Sequence, residues 1–301
     1  MNQSGIHFQS GIHFQGSMPV LNKLCHPVHP KPAGLYREGY YCPRYPKGMT
    51  AATPNAVPLD KIIVSRLLKL PVGQSDTMIT ADSCNGKSTF LGKIKHDLAA
   101  KKVPTFTMNA LAFSLAEDAD LKPLYDWIEK QKAKPRAVMF LDELSTAMIM
   151  GPNDMTEPLF KRFERIRAMA PNLIFVTDGV PDMLVNADKA WKEGLTVMFP
   201  EAARYELPAL NETQTLWAAA KGLTYAGFPV DPQSIQTEMD TQGKSMKGRS
   251  ARDIMMSFCK ALKQAVESSG LKRKESRKSP EPITPEVIQA AVADLKEVAV
   301  A

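Results

Sequence analysis

Two stretches of this chain carry residue types and spacings that could act on a phosphate. The first is Thr77-Met78-Ile79-Thr80-Ala81-Asp82-Ser83-Cys84-Asn85-Gly86-Lys87-Ser88-Thr89. A short β-branched run leads into a loop of small residues, and Phe90, Leu91, Ile94 and Leu98 follow at helical spacing. Strand, loop, Gly-Lys-Ser and helix fit the phosphate-cradling pattern G-x-x-x-x-G-K-[ST], with Ala81 in place of the first glycine. In such a loop the backbone N–H groups and the helix N-terminus point at phosphate oxygens. Lys87 would place a point charge at the β- and γ-phosphates, and Ser88 would offer a hydroxyl to Mg²⁺. The candidate nucleotide-binding residues are therefore Asp82, Ser83, Cys84, Asn85, Gly86, Lys87, Ser88 and Thr89. Cys84, inside the loop and near the helix dipole, is expected to be a reactive thiol that bound nucleotide shields.

The second stretch is Lys134-Pro135-Arg136-Ala137-Val138-Met139-Phe140-Leu141-Asp142-Glu143-Leu144. A continuous apolar run of this length suits a strand buried on both faces of a parallel sheet. Paired carboxylates at its carboxyl end fall where open α/β sheets place their ligands. Two acids there are costly to bury without a cation or a reacting water. Asp142 would hold the Mg²⁺ shell and Glu143 would polarise the attacking water. This reading predicts that Lys87 and the Asp142-Glu143 pair meet across one triphosphate at the ends of adjacent strands.

The elements that must position these residues alternate. A helix is expected over 60–70, the phosphate-loop strand and helix next, a strand over 103–108 and a helix over 121–131. The buried strand ending at Asp142 follows, then an amphipathic helix over 157–168, a strand over 173–178 and a further strand over 195–199. Alternating strands and helices call for a parallel, doubly wound sheet. From Leu207 the pattern is helical only, with candidates over 211–223, 232–241, 251–267 and 285–298, and Asn211 and Thr284 as caps. The expected organisation is an irregular arm rich in proline and tyrosine over 18–58, an α/β nucleotide-binding domain over 59–205 and a helical domain over 206–301. A basic loop over 270–280 interrupts the last.

Composition narrows the classes. At 301 residues and 44% hydrophobic content the chain has material for a sizeable core. No apolar run is long enough to span a bilayer, so no membrane is expected among its partners. Net charge +6 permits an acidic partner such as nucleic acid, met through the basic loop, but much of the excess sits in that loop. Cys25, Cys42, Cys84 and Cys259 are too scattered to read as a disulfide framework, which points to a reducing, cytoplasmic location. Cys25, His26, His29 and Cys42 fit no common zinc spacing. Residues 1–17 repeat Ser-Gly-Ile-His-Phe-Gln in succession and end in Gly-Ser before Met18, the pattern of an engineered leader. The alternative, a native targeting leader, is suggested by the lack of any acidic residue before Glu38, but the arginines such leaders need are missing.

With these motifs in place the chain resembles an AAA+ ATPase, nearest to the AAA family proper, over residues 60–298. The 55-residue interval from Lys87 to Asp142 is usual for that family. Val176-Thr177-Asp178 followed by Pro181-Asp182-Met183-Leu184 resembles its sensor-1 segment, which implies that Asp178, or Thr177, lies beside the γ-phosphate. Gly248-Arg249-Ser250-Ala251-Arg252-Asp253-Ile254 resembles the start of the sensor-2 helix, which implies that Arg252 reaches the nucleotide. Thr284-Pro285-Glu286-Val287 resembles the opening of the last lid helix. The implied fold is a P-loop NTPase-type parallel sheet flanked by helices, followed by a small all-α lid domain. The implied activity is Mg-ATP hydrolysis, in a homo-oligomeric ring or filament, that remodels a protein client.

The sequence departs from that family in three places. The phosphate loop carries Asp82, a carboxylate close to where phosphates would lie. The place for trans-acting arginine fingers, residues 188–194, holds lysines and no arginine, leaving Arg162, Arg165 or Arg167 as substitutes. Phe113 stands at the pore-loop aromatic position, but Leu115 replaces the glycine expected after it, and Phe113 reads equally as a core residue. Two other functions stay open: a low-turnover scaffold or adaptor stabilised by nucleotide, and a DNA- or RNA-acting initiator or loader.

Overall fold

The computed structural model describes residues 41, 43–82, 85–150, 156–181, 187, 189–225, 228–268 and 283–295. The chain divides into an α/β unit, Pro43–Ala209, and a helical unit within Leu210–Ala301. The first runs α1 (Leu59–Lys69), α2 (Val72–Ser75), β1 (Thr77–Thr80), α3 (Lys87–Ala100), β2 (Thr105–Asn109), α4 (Ala110–Leu115) and α5 (Lys122–Gln131). It continues with β3 (Ala137–Asp142), α6 (Leu144–Met150), α7 (Thr156–Met169), β4 (Leu173–Gly179), α8 (Lys189–Met198) and β5 (Arg204–Glu206). The helical unit contains α9 (Glu212–Tyr225), α10 (Pro232–Thr241), α11 (Ala251–Ser268) and α12 (Pro285–Ala293).

All strand pairs are parallel, in the order β2-β3-β4-β1-β5. The two apolar runs, β3 and β4, take the centre, where helices cover both faces and every position of β4 is buried. Helix α3 turns Phe90, Leu91, Ile94 and Leu98 into the core, as their spacing requires. Helix α1 buries Leu59, Ile63 and Leu67 and stops before Pro71. Arg136 Nη1 donates to Leu67 O at 3.0 Å and to Leu70 O at 2.7 Å, and Ser75 Oγ also donates to Leu70 O at 3.0 Å, so the end of the helix is capped.

Several expectations need correction. The run 195–199 is not a strand: residues 189–198 form α8. A strand would put Leu195, Val197 and Phe199 on one face, yet Leu195 is 3% and Phe199 0% exposed while Val197 is 84% exposed. Spacing by four, starting at Trp191, makes this a helix, and its partner is α7, where Gly194 lies so close to the Phe160 ring that a Cβ would collide with it. The fifth strand is β5 instead. Helices α4 and α6 were not foreseen from the sequence. Phe113, in α4, is fully buried with its ring centroid 5.4 Å from that of Phe163, so it is a core residue and not a pore-loop aromatic.

In the helical unit Leu216, Ala220, Leu223, Ile235, Phe258 and Ala291 build a core of their own. Asn211 and Gln214 form a reciprocal capping box at the start of α9, with Gln214 N donating to Asn211 Oδ1 at 2.8 Å and Asn211 N to Gln214 Oε1 at 3.1 Å. Thr284 precedes α12 without bonding a backbone N–H through its side chain, and α12 ends at Ala293, short of the expected 298. Cys259 is disulfide-bonded. Cys25, Cys42, Cys84, His26, His29, the leader over 1–17 and the basic loop over 270–280 lie outside the described residues. No helix among the described residues is long and apolar enough to cross a membrane.

Candidate functional site

Strand β1 delivers the chain to the carboxyl edge of the sheet, where Ala81 N donates to Gly179 O of β4 at 3.1 Å. The turn into α3 passes through Gly86, whose φ of +80° is the left-handed conformation that glycine adopts without strain. Lys87 opens α3, and its ammonium folds back onto its own loop, donating to Ala81 O at 2.8 Å and Asp82 O at 3.0 Å. Ser88 and Thr89 are exposed on the first turn, as is Asp82 in the loop. Ser83 and Cys84 fall outside the described residues.

On the other side stands the end of β3. The expectation of adjacent strands is not met: β4 lies between β1 and β3. The intervening strand contributes Asp178, 2% exposed, whose Oδ1 accepts from Glu143 N at 2.6 Å. Burial is the main cause that pushes Asp178 up to about 7, helped by the charge of Asp142 and opposed by the Glu143 N–H and Lys87. Lys87, Asp142 and Glu143 thus lie within electrostatic reach of Asp178 at one end of the sheet. Of the two sensor candidates, Thr177 is turned away, its hydroxyl donating to Leu141 O at 2.9 Å.

Glu143 has φ +63°, a left-handed conformation that costs a non-glycine residue about 1–3 kcal/mol and that clusters at functional sites. Its side chain is held by Asn109, whose Nδ2 donates to Glu143 Oε2 at 3.0 Å. Asn109 is a residue that sequence reasoning missed. Its Oδ1 caps α4 by accepting from Leu111 N at 2.9 Å and Ala112 N at 3.1 Å. The available signal was a polar residue closing a strand next to the one ending in Asp142. Lys95 was missed too. It sits two turns into α3 with its ammonium 4.8 Å from the centre of the Phe140 ring, and burial holds it below the usual lysine range against the pull of Asp142 and Asp178.

Two of the three substitute finger arginines are tied to their own chain. Arg162 caps the end of α4, donating to the carbonyls of Phe113, Ser114 and Ala116. Arg167 pairs with buried Asp76 and lies over the Phe175 ring. Arg165 is on the surface, paired with exposed Asp118 at 3.2 Å. Arg252 lies in the helical unit, exposed on the first turn of α11, a helix that Ser250 and Asp253 start with a reciprocal cap at 3.2 and 2.9 Å.

Among the described residues no cluster of His, Cys, Asp or Glu side chains forms a self-contained metal site. The donors suit a hard dication that takes few protein ligands and completes its shell with phosphate and water: the Asp142 carboxylate and the exposed Ser88 hydroxyl.

No protein-family model and no curated protein matches the sequence. The structure is similar to the AAA domain of FIGL-1 in complex with ADP, with a TM-score of 0.52, 12% identity and coverage of 80% of this chain and 82% of that one. It is similar at a TM-score of 0.48 and 17% identity to the Aeropyrum pernix ORC2 protein, over 81% of this chain and 67% of that one. An S. cerevisiae Hsp104:casein complex gives a TM-score of 0.48 and 12% identity over 71% of this chain, which spans 38% of the Hsp104 chain. With its five parallel strands and their flanking helices, the chain has the fold of the AAA+ ATPases, of α/β P-loop NTPase type.

Proposed function

We propose that the protein binds Mg-ATP at the carboxyl edge of its sheet and hydrolyses it to remodel a protein or nucleoprotein partner. The observation that carries this reading is the convergence of Lys87, Asp142, Glu143 and Asp178 on one edge, with Glu143 aimed by Asn109 and by its own backbone bond to Asp178. Lys87 would leave its loop carbonyls for the phosphate oxygens. The Glu143 carboxylate would take a proton from water as the water oxygen bonds the γ-phosphorus, while the bond from that phosphorus to the β–γ bridging oxygen breaks. ADP and phosphate leave. Asp142 and Ser88 would hold Mg²⁺, which would supply neutralisation of phosphate charge.

The fold also motivates a homo-oligomeric ring or filament, a protein client and a role for Arg252 on the nucleotide; a cytoplasmic setting rests on the scattered cysteines of the sequence, and the disulfide at Cys259 weighs against it. A second reading, a nucleotide-stabilised scaffold of low turnover, is favoured by the engagement of Arg162 and Arg167 within their own chain. A nucleic-acid role rests on the basic sequence at 270–280 alone and predicts salt-sensitive binding.

Nucleotide binding and phosphate release by the parent, Lys87→Ala and Glu143→Gln proteins separate these readings. Lys87→Ala should lose Mg-ATP binding. Glu143→Gln should keep binding and lose turnover by roughly 10²-fold or more. Parent turnover no higher than that of Glu143→Gln at every protein concentration would establish the scaffold instead.

A further inference from the structure

Arg44 precedes every element of the α/β unit, yet its side chain lies at the phosphate loop. It is 8% exposed. Its Nη2 donates to Asn85 O at 3.2 Å, and its Nη1 donates to Pro208 O, in the segment that leaves β5. Its backbone is fixed as well, because Leu59 N, at the start of α1, donates to Arg44 O at 2.7 Å. The guanidinium lies against the loop: a Cβ on Gly86 would stand 3.5 Å from Arg44 Nη2, an ordinary van der Waals contact.

The peptide joining Asn85 to Gly86 is planar and trans, so its C=O and N–H point in opposite directions. A guanidinium that holds the Asn85 carbonyl on one side therefore aims the Gly86 N–H to the other, the direction from which a loop of this kind binds phosphate. The first glycine of the usual pattern is replaced by Ala81, and the loop carries the carboxylate of Asp82. Arg44 brings a positive charge to the same loop from outside it. Arginine suits the task because its planar fork reaches two carbonyls at once, which lysine cannot do.

We infer that Arg44 is a positioning residue for the phosphate loop: it bridges the Asn85 and Pro208 carbonyls and thereby sets the Gly86 amide for a polyphosphate, so that anion binding depends on the segment before α1. The inference deepens the nucleotide-binding reading and rests on it for the identity of the ligand, but the clamp itself is testable without nucleotide.

The experiment compares the parent with Arg44→Met and Arg44→Lys. Binding of Mg-ATP and of inorganic tripolyphosphate is measured by calorimetry, and amide exchange is followed by mass spectrometry in nucleotide-free protein. Loss of a charge-assisted bond predicts that both ligands weaken by about 10-fold or more in Arg44→Met, with Arg44→Lys intermediate. Exchange should quicken in residues 85–90 and stay unchanged in β3 and β4. Weakened ATP with unchanged tripolyphosphate would mean contact with base or sugar and would overturn the proposal, as would unchanged affinity for both. Exchange that rises throughout the unit, or nowhere, would also overturn it. If the parent bound no nucleotide, the functional reading would fail while local exchange at 85–90 still decided the clamp.

Discussion

Asn109 joins two tasks in one amide: its oxygen starts α4 and its nitrogen holds Glu143. Replacement by aspartate separates them. Asn109→Asp keeps an acceptor for the helix N–H groups, so thermal stability should stay close to that of the parent, whereas Asn109→Ala should lose about 1 kcal/mol with the cap. Aspartate cannot donate to Glu143 and places a second negative charge beside it. Displacement of the base should lower turnover roughly 10- to 100-fold at unchanged Mg-ATP affinity. Parallel melting curves and phosphate-release assays read the two effects, and a variant with parental turnover would show that Glu143 needs no such support. The carboxylates were legible in the sequence because each closes an apolar run. Asn109 was not, because its role is set by the register that places it opposite Asp142, and register is a property of two strands distant in sequence.

Helix α3 carries Lys87 at one end, and its hold on α1 determines how firmly that lysine is placed. Lys61 of α1 donates to Asp97 of α3 at 2.8 Å, Lys93 donates to the other Asp97 oxygen at 2.5 Å, and buried Asp60 stands 3.8 Å from Lys93. Burial alone would push Asp97 up, but the hydrogen bonds from Lys61 and Lys93 outweigh it and hold the carboxyl below its ordinary value of 3.8. A carboxyl depressed on folding stabilises the fold above that ordinary value, and the contribution disappears as the pH falls through the lower folded value. Asp97→Asn should therefore be less stable than the parent at neutral pH, by about 1 kcal/mol or less because solvent screens the pair. The difference should shrink as the pH falls below 3.8 and vanish once the pH has passed below the lower folded value. Asp60 is pushed up by burial and works in the opposite sense, so the comparison is made between variant and parent at each pH by denaturant titration. A difference independent of pH would assign the effect to packing. At this scale the long elements were legible because their spacing reports burial, as at Phe90, Leu91, Ile94 and Leu98. The run at 195–199 misled because five consecutive residues with apolar ends fit a strand as well as a helix. Only the exposure of Val197 against buried Leu195 and Phe199 separates the two.

Across the whole molecule, the insertion of β4 between β1 and β3 turns a contact expected between neighbours into a three-strand arrangement, with Asp178 mediating between the loop and Glu143. That order was not legible, since sequence supplies the strands but not their permutation. The site so assembled has cations from its own chain in Lys87 and Lys95; the proposed oligomer would add an arginine from a neighbouring copy, with Arg162, Arg165 and Arg167 as the candidates. Arg162 and Arg167 are spoken for by α4 and Asp76, which leaves Arg165. Its pair with Asp118 joins side chains 58% and 62% exposed, and such a surface pair breaks at little cost. If copies of the chain complete one another through Arg165, turnover per protomer should climb with protein concentration, and Arg165→Ala should lower the plateau by about 10³-fold, as loss of a trans-acting arginine does. Mg-ATP affinity and melting temperature should not move, because the side chain supports neither the loop nor the core. Asp118→Asn supplies the complementary arm: it removes the ion pair and leaves Arg165 only over the Tyr125 ring, so turnover should hold or rise, whereas a structural role for the pair would make both variants fall together. Turnover that is flat with concentration and indifferent to Arg165→Ala would remove this arginine from the mechanism and favour the low-turnover scaffold.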